Sequence, residues 1–137
     1  MSNNHISDFN NLNDNQKDLF TVNIIKGLVM DGVRNANSGH PGGPMSLADF
    51  TYILYSEFLT IDPKNPDWEN RDRVVLSVGH TCMLIYSILY LCGILKMDDL
   101  KNFRKLGSLT PGHPEIETPG IDASTGPLGQ GVGMGIG

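Results

Sequence analysis

Residues 14–137 predict an α/β fold that contains one clear strand. Three observations point there. Several segments carry apolar residues at spacings of three or four, the signature of helices with one buried face. Between two such segments, Arg73-Val74-Val75-Leu76-Ser77 is short, apolar and β-branched, the pattern of a buried parallel strand. Residues 110–137 then concentrate glycine and proline beyond what a regular helix or strand tolerates, so something must approach that backbone closely. At 137 residues the chain is long enough for one domain with its own core.

The elements follow in chain order. Residues 1–13 are polar and asparagine-rich and read as a flexible arm. Asp14 is placed to cap a helix running to about Ala36, with Leu19, Val22, Ile25, Val29, Val33 and Ala36 along one face. Asn37-Ser38-Gly39-His40-Pro41-Gly42-Gly43-Pro44 is a dense run of helix breakers that ends it. Ser46 and Asp49 have capping-box spacing for a second helix, whose apolar face would be Leu47, Phe50, Leu54 and Phe58. Asp62-Pro63 stops that helix, and residues 62–72 form a surface connection to the strand. The strand leads through Gly79-His80 into a helix that Thr81 is placed to cap. Residues 82–92 are apolar almost all round, which predicts a buried helix, with Gly93 as its stop. Asp98 starts a short helix carrying Leu100 and Phe103. Thr125 reads as the N-cap of the last helix, with Pro127 in its first turn. One strand cannot make a sheet, so the chain reads as a piece of a larger protein.

Composition narrows the partners. The formal net charge is −5, which argues against a nucleic-acid or anionic-membrane surface. No apolar run reaches the length of a membrane span, and the first twenty residues do not resemble a signal peptide. Cys82 and Cys92 lie ten residues apart on one helical segment, roughly 15 Å along the axis. That is too far for a disulfide, so both are expected as reduced thiols in a reducing, cytoplasmic setting.

Three of the four histidines directly follow glycine: Gly39-His40, Gly79-His80 and Gly112-His113. Each pair sits in a breaker-rich loop or at the strand end, and His80 stands just past the carboxyl end of the strand, where open α/β sheets place ligands. Histidine there suits donation to phosphate or carbonyl oxygen, or proton transfer near neutral pH. Their spacings match no zinc-ligand pattern, and no metal site is assigned to this chain. Gly126-Pro127-Leu128-Gly129-Gln130-Gly131 matches neither a P-loop nor a dinucleotide fingerprint. It signals a close ligand or a close backbone and leaves both open.

Five segments together resemble the transketolases, a family of thiamine-diphosphate-dependent enzymes. In the family's order they are Asn37-Ser38-Gly39-His40-Pro41-Gly42, Leu76-Ser77-Val78-Gly79-His80, Asp99-Leu100-Lys101-Asn102-Phe103-Arg104, Thr110-Pro111-Gly112-His113-Pro114-Glu115 and Thr125-Gly126-Pro127-Leu128-Gly129-Gln130-Gly131. The resemblance covers about residues 18–137. Departures are mild: Val78 stands before Gly79-His80 where a small residue is usual, and Thr81-Cys82 replaces a small pair. Deoxyxylulose-phosphate synthases and the homodimeric pyruvate dehydrogenase component differ within these motifs, whereas dihydroxyacetone synthase shares them.

The resemblance implies that residues 14–137 are the N-terminal part of a three-layer α/β/α, diphosphate-binding domain with a parallel sheet. It implies transfer of a two-carbon ketol unit from a ketose phosphate to an aldose phosphate, with thiamine diphosphate as the electron sink. His40 matches a histidine that contacts sugar and assists proton transfer, and His113 one near the substrate's first hydroxyls. His80 matches the histidine that bonds the cofactor's diphosphate, and Gly126, Pro127 and Leu128 match the segment lying against the cofactor. Mg2+ and its ligands are expected downstream of Gly137, and the remaining half of the site from a partner in a homodimer. On that expectation the chain alone is inactive. The alternatives are a dihydroxyacetone synthase-type enzyme, or a non-catalytic module or split subunit that holds a phosphate ligand.

Overall fold

The structure, a computed structural model, describes residues 9–137. Residues 1–8, with most of the expected arm and His5, lie outside the described residues. Of the rest of that arm, Phe9–Asn11 forms a 3-10 turn whose Phe9 ring packs on Phe20 at a centroid distance of 5.7 Å.

Five α-helices are present: α1 Asp14–Ala36, α2 Gly42–Ile53, α3 Cys82–Leu91, α4 Met97–Lys101 and α5 Gln130–Ile136. α1 has the expected length, but its cap is Asn13 rather than Asp14. The Asn13 side chain accepts from the Gln16 N–H at 2.9 Å, and the Gln16 side chain accepts from the Asn13 N–H at 3.0 Å. An asparagine one residue earlier thus satisfies two orphan donors, which Asp14 inside the first turn cannot do. Val22, Ile25 and Val29 face the core as expected, whereas Leu19 is exposed.

α2 departs further from expectation. It begins at Gly42, so Ser46 lies inside the helix and its hydroxyl donates to the Gly42 carbonyl. Asp49 does not close a capping box; its carboxylate meets Lys26 of α1 at 2.7 Å. The buried positions are Pro44 and Ala48, and Phe50 and Phe58 are 64% and 72% exposed. Small residues let α2 approach α3 closely, with Leu47 and Tyr52 packed beside them against the core and Phe50 and Phe58 left exposed. A single turn of π-helix, Leu54–Phe58, continues α2.

α3 is the centre of the molecule. Residues 82–89 are all buried, in agreement with their apolar pattern. One side packs with Val22, Ile25 and Ala48, the other with Val29, Leu95, Leu100 and Phe103. α1 spans both clusters and crosses α3 at Gly32, where a Cβ would stand 2.6 Å from Met83 Cε.

The expected strand is not formed. Among the described residues there is no strand at all, and residues 72–76 have no ladder partner. A strand exists only through hydrogen bonds to a neighbouring strand, and side chains take that role here. Asp122 accepts from the Val74 N–H at 2.8 Å, and the Thr125 hydroxyl donates to the Leu76 carbonyl at 2.7 Å. Asp122 is itself held by an ion pair with Arg71, both side chains being largely buried. The Asp122 carboxylate in turn pushes the Arg71 guanidinium pKa above its ordinary value.

α5 starts later than the sequence predicts. Its N-cap position is Gly129, in the left-handed region at φ +84°, and not Thr125. Thr125 is buried and spends its hydroxyl on Leu76, so it ties two segments together and caps nothing. Pro127 lies in the turn ahead of α5.

Candidate functional site

The fold brings the three Gly-His turns to one place. The first is built by the end of α1, where Asn37 takes a left-handed conformation at φ 48° and its N–H bonds the Arg34 carbonyl. The chain reverses through Ser38-Gly39 and presents His40, exposed, just ahead of α2. The second turn, Gly79–Thr81, is a 3-10 turn feeding α3. The His40 and His80 rings meet edge to face, with centroids 4.9 Å apart and planes at 63°. Gly43 explains how the turns come so close, because a Cβ there would stand 2.5 Å from Thr81 Cγ2.

The third turn approaches from the other side. A Cβ at Gly126 would stand 3.7 Å from the His113 ring. Gly126 in turn lies against the second turn: a Cβ at Gly79 would be 2.9 Å from the Thr125 carbonyl carbon and 3.0 Å from the Gly126 nitrogen. Both are backbone atoms that cannot swing away. Gly79 is therefore glycine because another main chain lies on it. Gly131 has the same reason, with the Ser77 Cα only 2.7 Å from where its Cβ would be. The choice between a close ligand and a close backbone thus resolves to backbone at Gly79 and Gly131. Gly126 faces the His113 ring with its space open.

The loop carrying His113 is fixed by residues that sequence reasoning missed. The Tyr86 hydroxyl lies 3.0 Å from the Pro111 carbonyl and 3.1 Å from that of His113. The Cys82 thiol donates to the Gly112 carbonyl at 3.1 Å. Arg104, itself left-handed at φ 63°, bonds the Ser38 hydroxyl at 2.7 Å, packs beside Gly112 and stacks on Phe103. It joins the first turn to the third. The Thr110 hydroxyl anchors the start of the loop to the Asp99 carbonyl at 2.6 Å. The available signal was a tyrosine and a cysteine four residues apart on one buried face of a largely apolar helix.

Electrostatically the floor of the site is low in dielectric. Burial pushes the Cys82 thiol up to about 12 from 9.0 and drives the Tyr86 hydroxyl upward as well. Both stay protonated donors at neutral pH. By contrast the rings of His40, His80 and His113 make no hydrogen bond among the described residues. Leu128, 71% exposed, adds an apolar surface beside Gly126. Imidazole donors next to a bare backbone and an exposed leucine suit a molecule with an anionic end and an apolar ring. Among the described residues no three His, Cys, Asp or Glu side chains are grouped to hold a metal ion. No helix among them is long and apolar enough to cross a membrane.

Residues 17–137 match the family described as transketolase, thiamine diphosphate binding domain. A transketolase from Buchnera aphidicola is 58% identical over 118 residues, which is 85% of this chain and 18% of the relative. The solved transketolase from Leishmania mexicana superposes with a TM-score of 0.82 at 48% identity, covering 84% of this chain and 18% of that one. The Pichia stipitis transketolase, solved in complex with sedoheptulose-7-phosphate, gives 0.81 at 50% identity, covering 84% of this chain and 17% of that one. The chain thus spans about 18% of the length of the curated relatives it matches. With the match extending over nearly all of its residues, the chain belongs to the transketolase family, within the thiamine diphosphate binding domain.

Proposed function

We propose that this chain forms one wall of an active site that transfers a two-carbon ketol unit from a ketose phosphate to an aldose phosphate. The observation that carries the reading is that the His40 and His80 rings meet beside the Gly79 turn, and that Gly126, which packs on that turn, lies against the His113 ring, in a chain of this family. Thiamine diphosphate, when bound, supplies an electron sink for the carbon–carbon bond that is broken and remade.

The chain's own residues divide the remaining work. His80 donates to the diphosphate from the start of α3. Gly126, Pro127 and Leu128 lie against the cofactor; Gly126 leaves room for it, and Leu128 offers an apolar contact. His40, edge-on to His80, contacts the sugar and moves a proton at its ring nitrogen. His113 binds the first hydroxyls of the sugar. The magnesium ion that accompanies the diphosphate takes its ligands from outside this chain, and a homodimer completes the site in the full-length protein. Residues 73–77 there join a parallel sheet in a three-layer α/β/α domain. The setting is the cytoplasm, with sugar phosphates as partners and neither nucleic acid nor membrane.

The test is a pair of substitutions in the full-length protein. A hydrogen bond to a charged group is worth about 1.5–3 kcal/mol. His80→Ala should therefore raise the dissociation constant of thiamine diphosphate by roughly tenfold or more, with sugar preference unchanged. His40→Ala should do the reverse, lowering kcat with natural sugar phosphates while cofactor affinity stays near normal. An unchanged cofactor dissociation constant in His80→Ala would refute the role of His80.

A further inference from the structure

Three consecutive carbonyls, those of Pro111, Gly112 and His113, are held by two side chains of one buried helix. Tyr86 and Cys82 are one turn apart on α3, both wholly buried. Tyr86 reaches the outer two carbonyls with a single hydroxyl hydrogen shared between them, and Cys82 takes the middle one. The Tyr86 ring is fixed in turn by Phe103, edge to face with centroids 6.2 Å apart. Few loops are pinned from below at every residue, and here the pinned loop ends at the exposed His113 ring over Gly126.

The helix also begins at the His80 turn. One rigid element therefore sets the position of two site histidines, His80 by chain connection and His113 by hydrogen bonding. Burial keeps the Tyr86 hydroxyl protonated well beyond neutral pH, so the donor is always present.

We propose that Tyr86 is a positioning residue for the transfer reaction: its hydroxyl holds the Pro111–His113 backbone so that the His113 imidazole meets the substrate. This rests on the reading that His113 contacts substrate. Removing the hydroxyl frees the His113 carbonyl, leaves the Pro111 carbonyl only the Cys82 thiol at 3.6 Å, and lets the loop shift on an intact core. Displacements of about 1 Å at a catalytic group cost up to about a hundredfold in rate.

The experiment is a double-mutant cycle in the full-length protein with Tyr86→Phe and His113→Ala. Tyr86→Phe should lower kcat by roughly tenfold or more while the thiamine diphosphate dissociation constant stays within about twofold. In the His113→Ala background the same change should have almost no further effect. A second readout needs no turnover: in the cofactor-free protein, hydrogen exchange should speed up in peptides covering residues 110–116 and stay slow in those covering residues 83–89. Equal loss of kcat in both backgrounds, or full activity of Tyr86→Phe, overturns the proposal. If His113→Ala alone leaves kcat unchanged, the reading of His113 itself fails, which is a distinguishable result. Should Tyr86→Phe not fold, Cys82→Ala removes the bond to the Gly112 carbonyl and must show the same dependence on His113, with a smaller drop. Additivity there refutes the idea equally.

Discussion

A single missing methyl group separates two kinds of glycine in this chain. At Gly79 a Cβ would collide with the backbone of Thr125 and Gly126, whereas at Gly27, inside α1, it would meet nothing within 4 Å. Gly79→Ala should therefore destabilise by about 1–3 kcal/mol, the cost of overpacking a site that cannot relax. Gly27→Ala should stabilise by about 0.5–1 kcal/mol through helix propensity. Urea unfolding of the two variants checks the pair, and equal signs would contradict the close approach described. Titration belongs to the same scale. Cys82, Cys92, Tyr55 and Tyr86 are all held above their ordinary pKa by burial. The unfolded chain releases those protons first as pH rises, from near 9 for the thiols, while the folded chain retains them. Their contribution is thus complete below pH 9 and is lost as pH climbs towards about 12, the value for Cys82. The urea midpoint should fall steadily from about pH 9 to about pH 11, and a flat profile would contradict the burial of these groups.

Among the elements, α1 and α3 were legible because each carries its signal locally. α1 has periodic apolar residues and a capping pair, and α3 has a continuous apolar run. Asn13→Ala should cost about 1 kcal/mol, since it removes the side-chain acceptor of the Gln16 N–H. The drop in thermal midpoint on that substitution, and its absence in Asp14→Ala, would separate the true cap from the neighbour that sequence favours. α2 was misread in part: Leu47 packs on the core as expected, but Phe50 and Phe58 are exposed. Ala48 and Pro44 are the fully buried positions, which depends on how near α3 lies and not on hydropathy. The unformed strand and the late start of α5 share a reason. Thr125 was read as a cap and Leu76 as a strand residue, yet each satisfies the other across 49 positions of sequence. No local pattern announces that pairing.

For the molecule as a whole, the chain supplies the histidines and the turn ahead of α5, but no metal-holding group of side chains among its described residues. If magnesium carries most of the diphosphate's binding, this 137-residue chain by itself should bind thiamine diphosphate with magnesium more weakly than micromolar. Calorimetry on the chain alone measures this. Micromolar affinity would mean that the three Gly-His turns suffice, and that the division of labour proposed for the metal is wrong.

Sequence by itself determined the family to which the chain belongs and singled out the candidate residues for its ligand. His40, His80 and His113 each follow glycine, and the segments around them recur in fixed order, so their identities are written in short motifs. It also determined that residues 82–89 are the core, because an all-apolar helix has nowhere else to go. Only the tertiary structure decided why the glycines are there, what Thr125 does, and that Tyr86 and Cys82 hold the His113 loop. Those facts are distances between segments far apart in the chain, set by the packing of helices and not by any residue's own preference.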